Sequence, residues 1–363
     1  MRAMRTVKAA VCYEYGSPLV VEEVHLEPPG RAEVEVRMEA CAICHSDIHI
    51  IDGEWHYEAP LIPGHEAAGT ISRIGADVEG MAVGDRVVVS LLWSCRRCRH
   101  CLEGEPYLCI GDHPLELRSK FTNREGRELN RALKVAGFAE YTVVHETQIV
   151  KVPDSIPIVS AALLACGVIT GLGAVVNTAH FQFGRSVAVV GCGGVGLNTV
   201  QGAILAGAVQ VIGIDIERGK LDMARAFGAT HVVHAGETDP VQAVMDLSSG
   251  GVDYVFVVAG VARLLEEAAD MICKGGGVIQ VGMPPLDDTF TYTGQRFMGQ
   301  RSLKGSSMGG TNFQRDVPRL MDLYRQGRLK LDELVTRTYP LEKINEAIAA
   351  VAEPTTLRNV ITF

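Results

Sequence analysis

Apolar and polar positions alternate in short runs up to about residue 150. Val34-Glu35-Val36-Arg37-Met38-Glu39 switches character at every step, the period of a strand buried on one face. A Gly84-Asp85 turn signal leads into the β-branched run Val87-Val88-Val89. Phe138 to Val152 reads as a further strand-like stretch, closed by Pro153 and Pro157. Gly and Pro punctuation is dense here and helical periodicity is scarce. This half is expected to be mainly β.

The pattern changes from about residue 160. Ser186 to Val190 is a continuous β-branched run, the kind that forms a strand covered on both faces. A glycine cluster follows, then a helix of small residues to about Ala206 and a second buried run from Val209 to Ile214. Helices are predicted over Glu217–Phe227, Pro240–Leu247 and Leu264–Cys273, with strands at His231–Val233, Val252–Val258 and Gly277–Val281. Strand and helix in such close alternation predict a doubly wound parallel sheet. Beyond about Gly309 the chain turns helix-rich, at Pro318–Gln326 and Leu341–Val351, and closes on the strand-like Val360–Phe363. No internal repeat is visible.

Composition narrows the classes. A chain of 363 residues exceeds one comfortable core, so two domains are expected, and 47% hydrophobic with 21% charged residues excludes disorder. A net charge of −9 without a basic stripe excludes nucleic acid as an expected partner. Ser155–Gly184 and Ser186–Ile214 carry no charged residue and are long enough to span a bilayer. Glycines and the polar Asn177, His180, Asn198 and Gln201 interrupt them, so they read as buried elements of a large α/β domain. No apolar core opens the N-terminus, and the expected location is the cytoplasm.

Gly191-Cys192-Gly193-Gly194-Val195-Gly196 contains G-x-G-x-x-G. Alone that string is a weak signal; placed between a buried strand and a helix it marks a dinucleotide site. The first glycine permits the turn, the second lets backbone approach a pyrophosphate, and the third lets helix and strand pack. Asp215 ends the next strand, 19 residues after Gly196, where a carboxylate can accept both ribose hydroxyls. It would repel an added 2′-phosphate, which favours NAD over NADP, although Arg218 nearby pulls the other way.

Ten cysteines in such a chain suggest metal or catalysis before disulfides. Cys95-x2-Cys98-x2-Cys101-x7-Cys109 suits a closed, structural tetrathiolate zinc site, partly offset in charge by Arg96, Arg97 and Arg99. An iron–sulfur cluster competes for the same ligands, but the spacing and the missing Cys-Pro ending argue against it. A second, dispersed constellation holds Cys44-His45-Ser46-Asp47 with His49, Gly64-His65-Glu66, and Cys166. Cys12, Cys41, Cys192 and Cys273 read as small buried hydrophobes.

Taken together, these stretches resemble the zinc-containing medium-chain alcohol dehydrogenases essentially end to end. The resemblance runs through Cys44–His49, Gly64-His65-Glu66-Ala67-Ala68-Gly69, the four-cysteine lobe and Cys166-Gly167-Val168-Ile169-Thr170-Gly171. It continues in the glycine loop with Asp215, Lys304–Gly310 and Arg358. It implies a Rossmann domain beside a β-rich, GroES-like catalytic domain. The catalytic zinc domain is expected over 1–167, completed by 308–363, with the NAD-binding domain at 168–307 and the active site in the cleft between them. Cys44, His65 and Cys166 are then the ligands of a catalytic zinc with a fourth position for alcohol. Ser46 and His49 form a proton relay, Asp47 orients His65, and Glu66 lies behind the metal. His45 and Arg358 meet the pyrophosphate, Lys220 the adenosine ribose, and Thr170, Val258 and Val281 flank the nicotinamide. Trp55 and Leu91 fall at substrate-pocket positions.

The activity so implied is reversible hydride transfer from the alkoxide of a zinc-held primary (longer aliphatic or aromatic) or secondary alcohol to NAD. A homo-oligomer is expected, a dimer ahead of a tetramer, paired near Ser302–Ser306. The alternatives are a thiol-adduct formaldehyde dehydrogenase of the glutathione or mycothiol type and a non-catalytic zinc- and nucleotide-binding protein. The charged segment Gly111–Gly137 departs in length from both compact and larger relatives. It is either a solvated loop or a rim over the substrate channel.

Overall fold

A computed structural model describes residues 4–363. The chain forms two compact units, one running to Cys166 and taking back Asn312–Phe363, the other Gly167–Thr311.

The first unit is β-rich. Its strands are β1 (Arg5–Val11), β2 (Val20–Leu26), β3 (Glu33–Ala42), β4 (Leu61–Ile62), β5 (Glu66–Ile74) and β6 (Arg86–Val89). They continue as β7 (Phe121–Thr122), β8 (Glu128–Arg131), β9 (Tyr141–His145) and β10 (Ile149–Lys151). The second unit contributes β11 (Ser186–Val190), β12 (Gln210–Asp215), β13 (His231–His234), β14 (Val252–Val257), β15 (Ile272–Gln280) and β16 (Ser302–Gly305). After the chain returns, β17 (Val335–Pro340) and β18 (Arg358–Thr362) rejoin the first unit.

In the second unit all six strands are parallel, in the order β13-β12-β11-β14-β15-β16. That is a doubly wound Rossmann sheet, with the order reversing beside β11. Val187, Ala188 and Val189 on β11 are fully buried, as a central parallel strand requires. The uncharged stretches end up as buried strands and short helices, and among the described residues no single helix is long and apolar enough to cross a membrane.

In the first unit a seven-stranded sheet orders β10-β6-β5-β3-β18-β17, with β9 also on β3. The register that matters is antiparallel β3 on β5, where Ala42 faces Glu66. The end of β3 therefore lies beside the start of β5, bringing Cys44 and His65 together from chain segments 21 residues apart. The tail strand β18 closes the opposite edge of β3, with Val360 against Ala42.

A five-stranded sheet, β1-β2-β7-β8-β4, corrects the reading of Gly111–Gly137. This segment is not a solvated loop. It supplies β7 and β8, and Leu115, Phe121, Leu129, Ala132, Val135 and Ala136 are all buried. Its alternation of apolar with charged positions is that of strands burying one face.

Three boundaries also differ from expectation. Phe138–Val152 is broken at Glu146–Gln148, because β9 pairs with β3 whereas β10 pairs with β6. The helix expected over Leu264–Cys273 stops at Asp270, and Ile272 begins β15 opposite Val252, so Cys273 is a half-exposed strand residue. The helix placed at Pro318 begins at Phe313, capped by Asn312 Oδ1 on Arg315 N. Phe313, Val317 and Met321 recur on its buried face and hold it through the proline.

Phe121→Ala tests the correction. Loss of a fully buried phenyl from the five-stranded sheet should cost about 3–5 kcal/mol in denaturant titration. A solvated loop would tolerate it within about 0.5 kcal/mol.

Candidate active site

One buried carboxylate organises the first cluster. Cys44 caps the helix His45–Ile51, and Asp47, in its first turn, reaches back so that Oδ2 accepts from Cys44 N at 3.1 Å. The other oxygen accepts from Gly64 N and from His65 Nδ1, both at 2.9 Å. Gly64 has φ +93°, and a Cβ there would lie 2.6 Å from Phe138 N, so the chain needs glycine before His65.

With Nδ1 committed to Asp47, His65 turns Nε2 to Cys166 Sγ at 3.3 Å. Nε2 and the sulfurs of Cys44 and Cys166 all lie within 4.8 Å of one another, and all three residues are buried. The edge of a tetrahedral site with Zn–N near 2.0 Å and Zn–S near 2.3 Å is about 3.5 Å, so the donors fit such an ion. The protons are unevenly held. The hydrogen bond with Cys166 and the neighbouring His65 drop the Cys44 thiol well below its ordinary pKa. That same bond, with burial, drives Cys166 well above it. Burial opposes an imidazolium at His65, yet Asp47 and the Cys44 sulfur outweigh it and raise the pKa. A divalent cation would replace these shared protons.

The remaining expected residues surround this cluster in different ways. Ser46 is partly exposed and His45 exposed on the same helix turn. His49 lies three residues beyond Ser46, on the same helix face. Glu66 is fully buried and pairs with the buried Arg358, Nε to Oε2 at 3.7 Å. The Glu66, Cys44 and Cys166 charges raise Arg358 above its ordinary pKa although burial opposes this. Trp55 is 8% exposed, joins the core of this unit, and stacks on His49 with centroids 5.3 Å apart. Leu91 is half-buried against the same core.

Cys95, Cys98, Cys101 and Cys109 converge in a separate lobe. Measured Sγ–Sγ separations are 3.5 Å for Cys98–Cys101, 3.9 Å for Cys98–Cys109 and 4.0 Å for Cys95–Cys101. Four sulfurs about 2.3 Å from one centre would stand about 3.8 Å apart, far beyond a disulfide's ~2.05 Å. Backbone N–H groups of Cys101 and Ile110 lower the Cys98 thiol to about 6, while burial and Cys98 raise Cys101 to about 12. Of the interspersed arginines, Arg96 pairs with Glu146 at 2.7 Å and Arg99 with Glu103 at 3.9 Å.

In the second unit the glycine loop joins β11 to the helix Gly194–Leu205. Gly191 has φ +95°, and a Cβ on Gly196 would lie 1.9 Å from Gly191 O. A Cβ on Gly193 would meet nothing within 4 Å, so space is left where the second glycine should admit a phosphate. Gly194 and Val195 open the helix with their N–H groups unspent on earlier turns. Asp215 accepts from Cys192 N at 2.7 Å and from Glu217 N at 3.0 Å, tying the loop to the end of β12. Arg218 pairs with Glu237, and Lys220 is partly exposed on the following helix. Val258 and Val281 follow the carboxyl ends of β14 and β15, and Thr170 Oγ1 faces Met308 Sδ at 3.7 Å.

Two groups were passed over in the sequence. Glu54 binds His49 Nδ1, and its signal was the Asp52-Gly53 turn just before it. Gln148 is fully buried beside the cysteine lobe. It accepts from His113 Nε2 at 3.0 Å and donates to Ser90 O at 3.0 Å, while Ser90 Oγ donates to Ala165 O, next to Cys166. No local pattern announces that chain.

Comparison with known proteins agrees with this geometry. Residues 30–154 match the family model for the alcohol dehydrogenase GroES-like domain, and 194–326 that for zinc-binding dehydrogenases. The chain is 37% identical to an alcohol dehydrogenase class-3 of Zea mays, covering 99% of this chain and 97% of that protein. It is 35% identical to a probable S-(hydroxymethyl)glutathione dehydrogenase of Schizosaccharomyces pombe, at 98% and 97% coverage. The crystal structure of benzyl alcohol dehydrogenase from Acinetobacter calcoaceticus superposes with a TM-score of 0.93, at 30% identity and 99% of both chains.

Asp47→Asn should weaken zinc at Cys44, His65 and Cys166 by about 10- to 100-fold, because the amide no longer fixes the His65 tautomer. Chelator competition should show this loss with the four-cysteine lobe still loaded.

Proposed function

This chain belongs to the zinc-containing medium-chain alcohol dehydrogenase family, and from that premise we propose that it is an NAD-dependent alcohol dehydrogenase. Its substrates are longer aliphatic or aromatic primary alcohols and secondary alcohols, oxidised reversibly to aldehydes and ketones. The observation that carries the reading is the buried Cys44–His65–Cys166 set oriented by Asp47, with Ser46 and His49 on the adjoining helix. Three protein donors leave a fourth position for a substrate oxygen.

Zinc held by Cys44, His65 and Cys166 would supply a Lewis acid for the alcohol oxygen, and a bound NAD would supply the hydride acceptor. The chain's own residues do the rest. Ser46 receives the hydroxyl proton and His49 passes it outward, while Glu66 and Arg358 hold a buried ion pair behind the ligands. A second zinc, in the four-cysteine lobe, serves the fold rather than the reaction. Gly191, Gly193, Gly194, Val195 and Gly196 receive the dinucleotide phosphates, Asp215 and Lys220 the adenosine ribose, and Thr170, Val258 and Val281 the nicotinamide. The preference for NAD rests on Asp215, and Arg218, the cation that argued for a 2′-phosphate, pairs with Glu237. Strand β16 lies at the open edge of the parallel sheet with Ser302, Lys304 and Gly305 exposed, and there we place the pairing of two subunits.

The thiol-adduct formaldehyde reading keeps one support, the relative from Schizosaccharomyces pombe. An anionic thiol adduct would need cations at its site; in the 111–137 segment Arg118 pairs with Glu27, Lys120 with Glu33 and Arg124 with Glu23, Arg131 is buried, and Arg127 is exposed and donates to Ala59 O.

NADH absorbance over a panel of alcohols, with and without glutathione or mycothiol, tests the assignment. Longer and aromatic alcohols should exceed ethanol in kcat/KM by more than about tenfold, at roughly 0.8 kcal/mol per added buried methylene. Trp55→Ala should reorder these alcohols more than it changes NAD affinity. Formaldehyde oxidised only with a thiol present would transfer the assignment to the second reading.

Asp215→Gly should weaken NAD by about 10- to 100-fold, the worth of one or two charge-assisted hydrogen bonds, and narrow the gap to NADP. Steady-state kinetics with both cofactors measures it, and an unmodified protein that already prefers NADP would refute the role.

A further inference from the structure

Glu54 has no part in the relay described above, yet its Oε2 is hydrogen-bonded to Nδ1 of His49. The turn after helix His45–Ile51 builds this contact. Glu54 N and Trp55 N both donate to the carbonyl of His49, at 2.8 and 3.3 Å. Gly53 permits the reversal with φ +79°, and a Cβ there would lie 3.0 Å from the Tyr15 ring. Trp55 covers the face of the imidazole, its plane tilted by 21°. The ring is thus gripped at one nitrogen by a carboxylate and across one face by an indole.

A carboxylate can only accept a hydrogen bond. The neutral ring must therefore carry its proton on Nδ1, which leaves the lone pair on Nε2. We propose that Glu54 is a positioning residue for proton release: it holds His49 in the Nδ1–H tautomer, makes Nε2 the base, and stays ionised to stabilise the imidazolium that forms as Nε2 gains a proton. The step balances, since an N–H bond forms at Nε2 as the O–H bond of the relay donor breaks, and the imidazolium then gives a proton to water. No oxidant or reductant enters. The Glu54 side chain is 43% exposed against 25% for His49, so the pair opens toward solvent. The same arrangement of carboxylate, imidazole and hydroxyl orients the base in hydrolytic triads.

This inference rests on Ser46 and His49 acting as the relay, and its test separates the two claims. In zinc-loaded enzyme labelled with 15N-histidine, long-range proton–nitrogen correlation should report Nδ1–H for neutral His49. Glu54→Gln should turn it into a mixture of tautomers. The same variant should lower kcat/KM for alcohol oxidation by about tenfold, below the ~100-fold floor of a direct general base. Glu54→Asp should recover most of that loss, and Glu54→Gln should add nothing in a His49→Gln background. An active wild type whose tautomer is unmoved in Glu54→Gln overturns the inference alone, as do losses that multiply in the double variant. A wild-type holoenzyme that forms no NADH from any alcohol overturns the relay and this inference together.

Discussion

Asp47 is the constraint on which the Cys44–His65–Cys166 cluster depends. An ionised carboxylate with no solvent exposure costs several kcal/mol unless its oxygens are fully met, and here three N–H donors meet them. Each donor belongs to a different piece of the site: the helix start at Cys44, the turn at Gly64, and the ring of His65. Satisfying one charge therefore fixes three positions at once. It also decides the chemistry of the ring, because a proton held on Nδ1 leaves Nε2 to face the sulfurs. The neighbourhood carries a second buried carboxylate, Glu66, against a single buried guanidinium, Arg358. With the Cys44 thiol, which loses its proton readily, beside them, the cluster is short of positive charge, and a dication is what such a deficit accommodates.

Legibility in the sequence followed the distance over which each feature is encoded. The cysteine lobe closes within 15 residues, and its spacing alone implied four sulfurs around one centre. The parallel sheet was equally plain, since each β-branched run and its following helix are local events. The dispersed ligand set was not plain from spacing. Cys44 and His65 are joined by the β3–β5 register and by Asp47, and Cys166 follows Ala165, whose carbonyl accepts from Ser90 Oγ; a linear pattern displays none of these. Likeness to a family had to supply them.

The misread segments show the same limit from the other side. Gly111–Gly137 looks like a polar loop because ten charged side chains interrupt it. Their apolar neighbours Phe121 and Leu129 are nonetheless opposite one another in a two-strand ladder. Strands as short as two and four residues give too little alternation to register, and only the shared core with Val24 and Leu26 reveals them. Cys273 failed for a related reason. Only Met271 separates the helix Arg263–Asp270 from β15, and Met271-Ile272-Cys273 runs on apolar, so composition cannot say where one becomes the other.

The glycine loop shows why its motif needs context. Gly191 answers to a backbone turn with positive φ, and Gly196 to a carbonyl that would lie inside any side chain's first carbon. Both are demands of the fold, and any tight strand-to-helix junction could make them. Gly193 is different: its φ of −71° suits every residue, and a side chain there would meet open space. The folded chain gives no reason for glycine at that position. A ligand brought against the backbone at the start of the helix does, because the N–H groups there can be reached only if no side chain stands in front of them. Two of the three glycines thus report the architecture, and the one that the architecture does not require reports the dinucleotide.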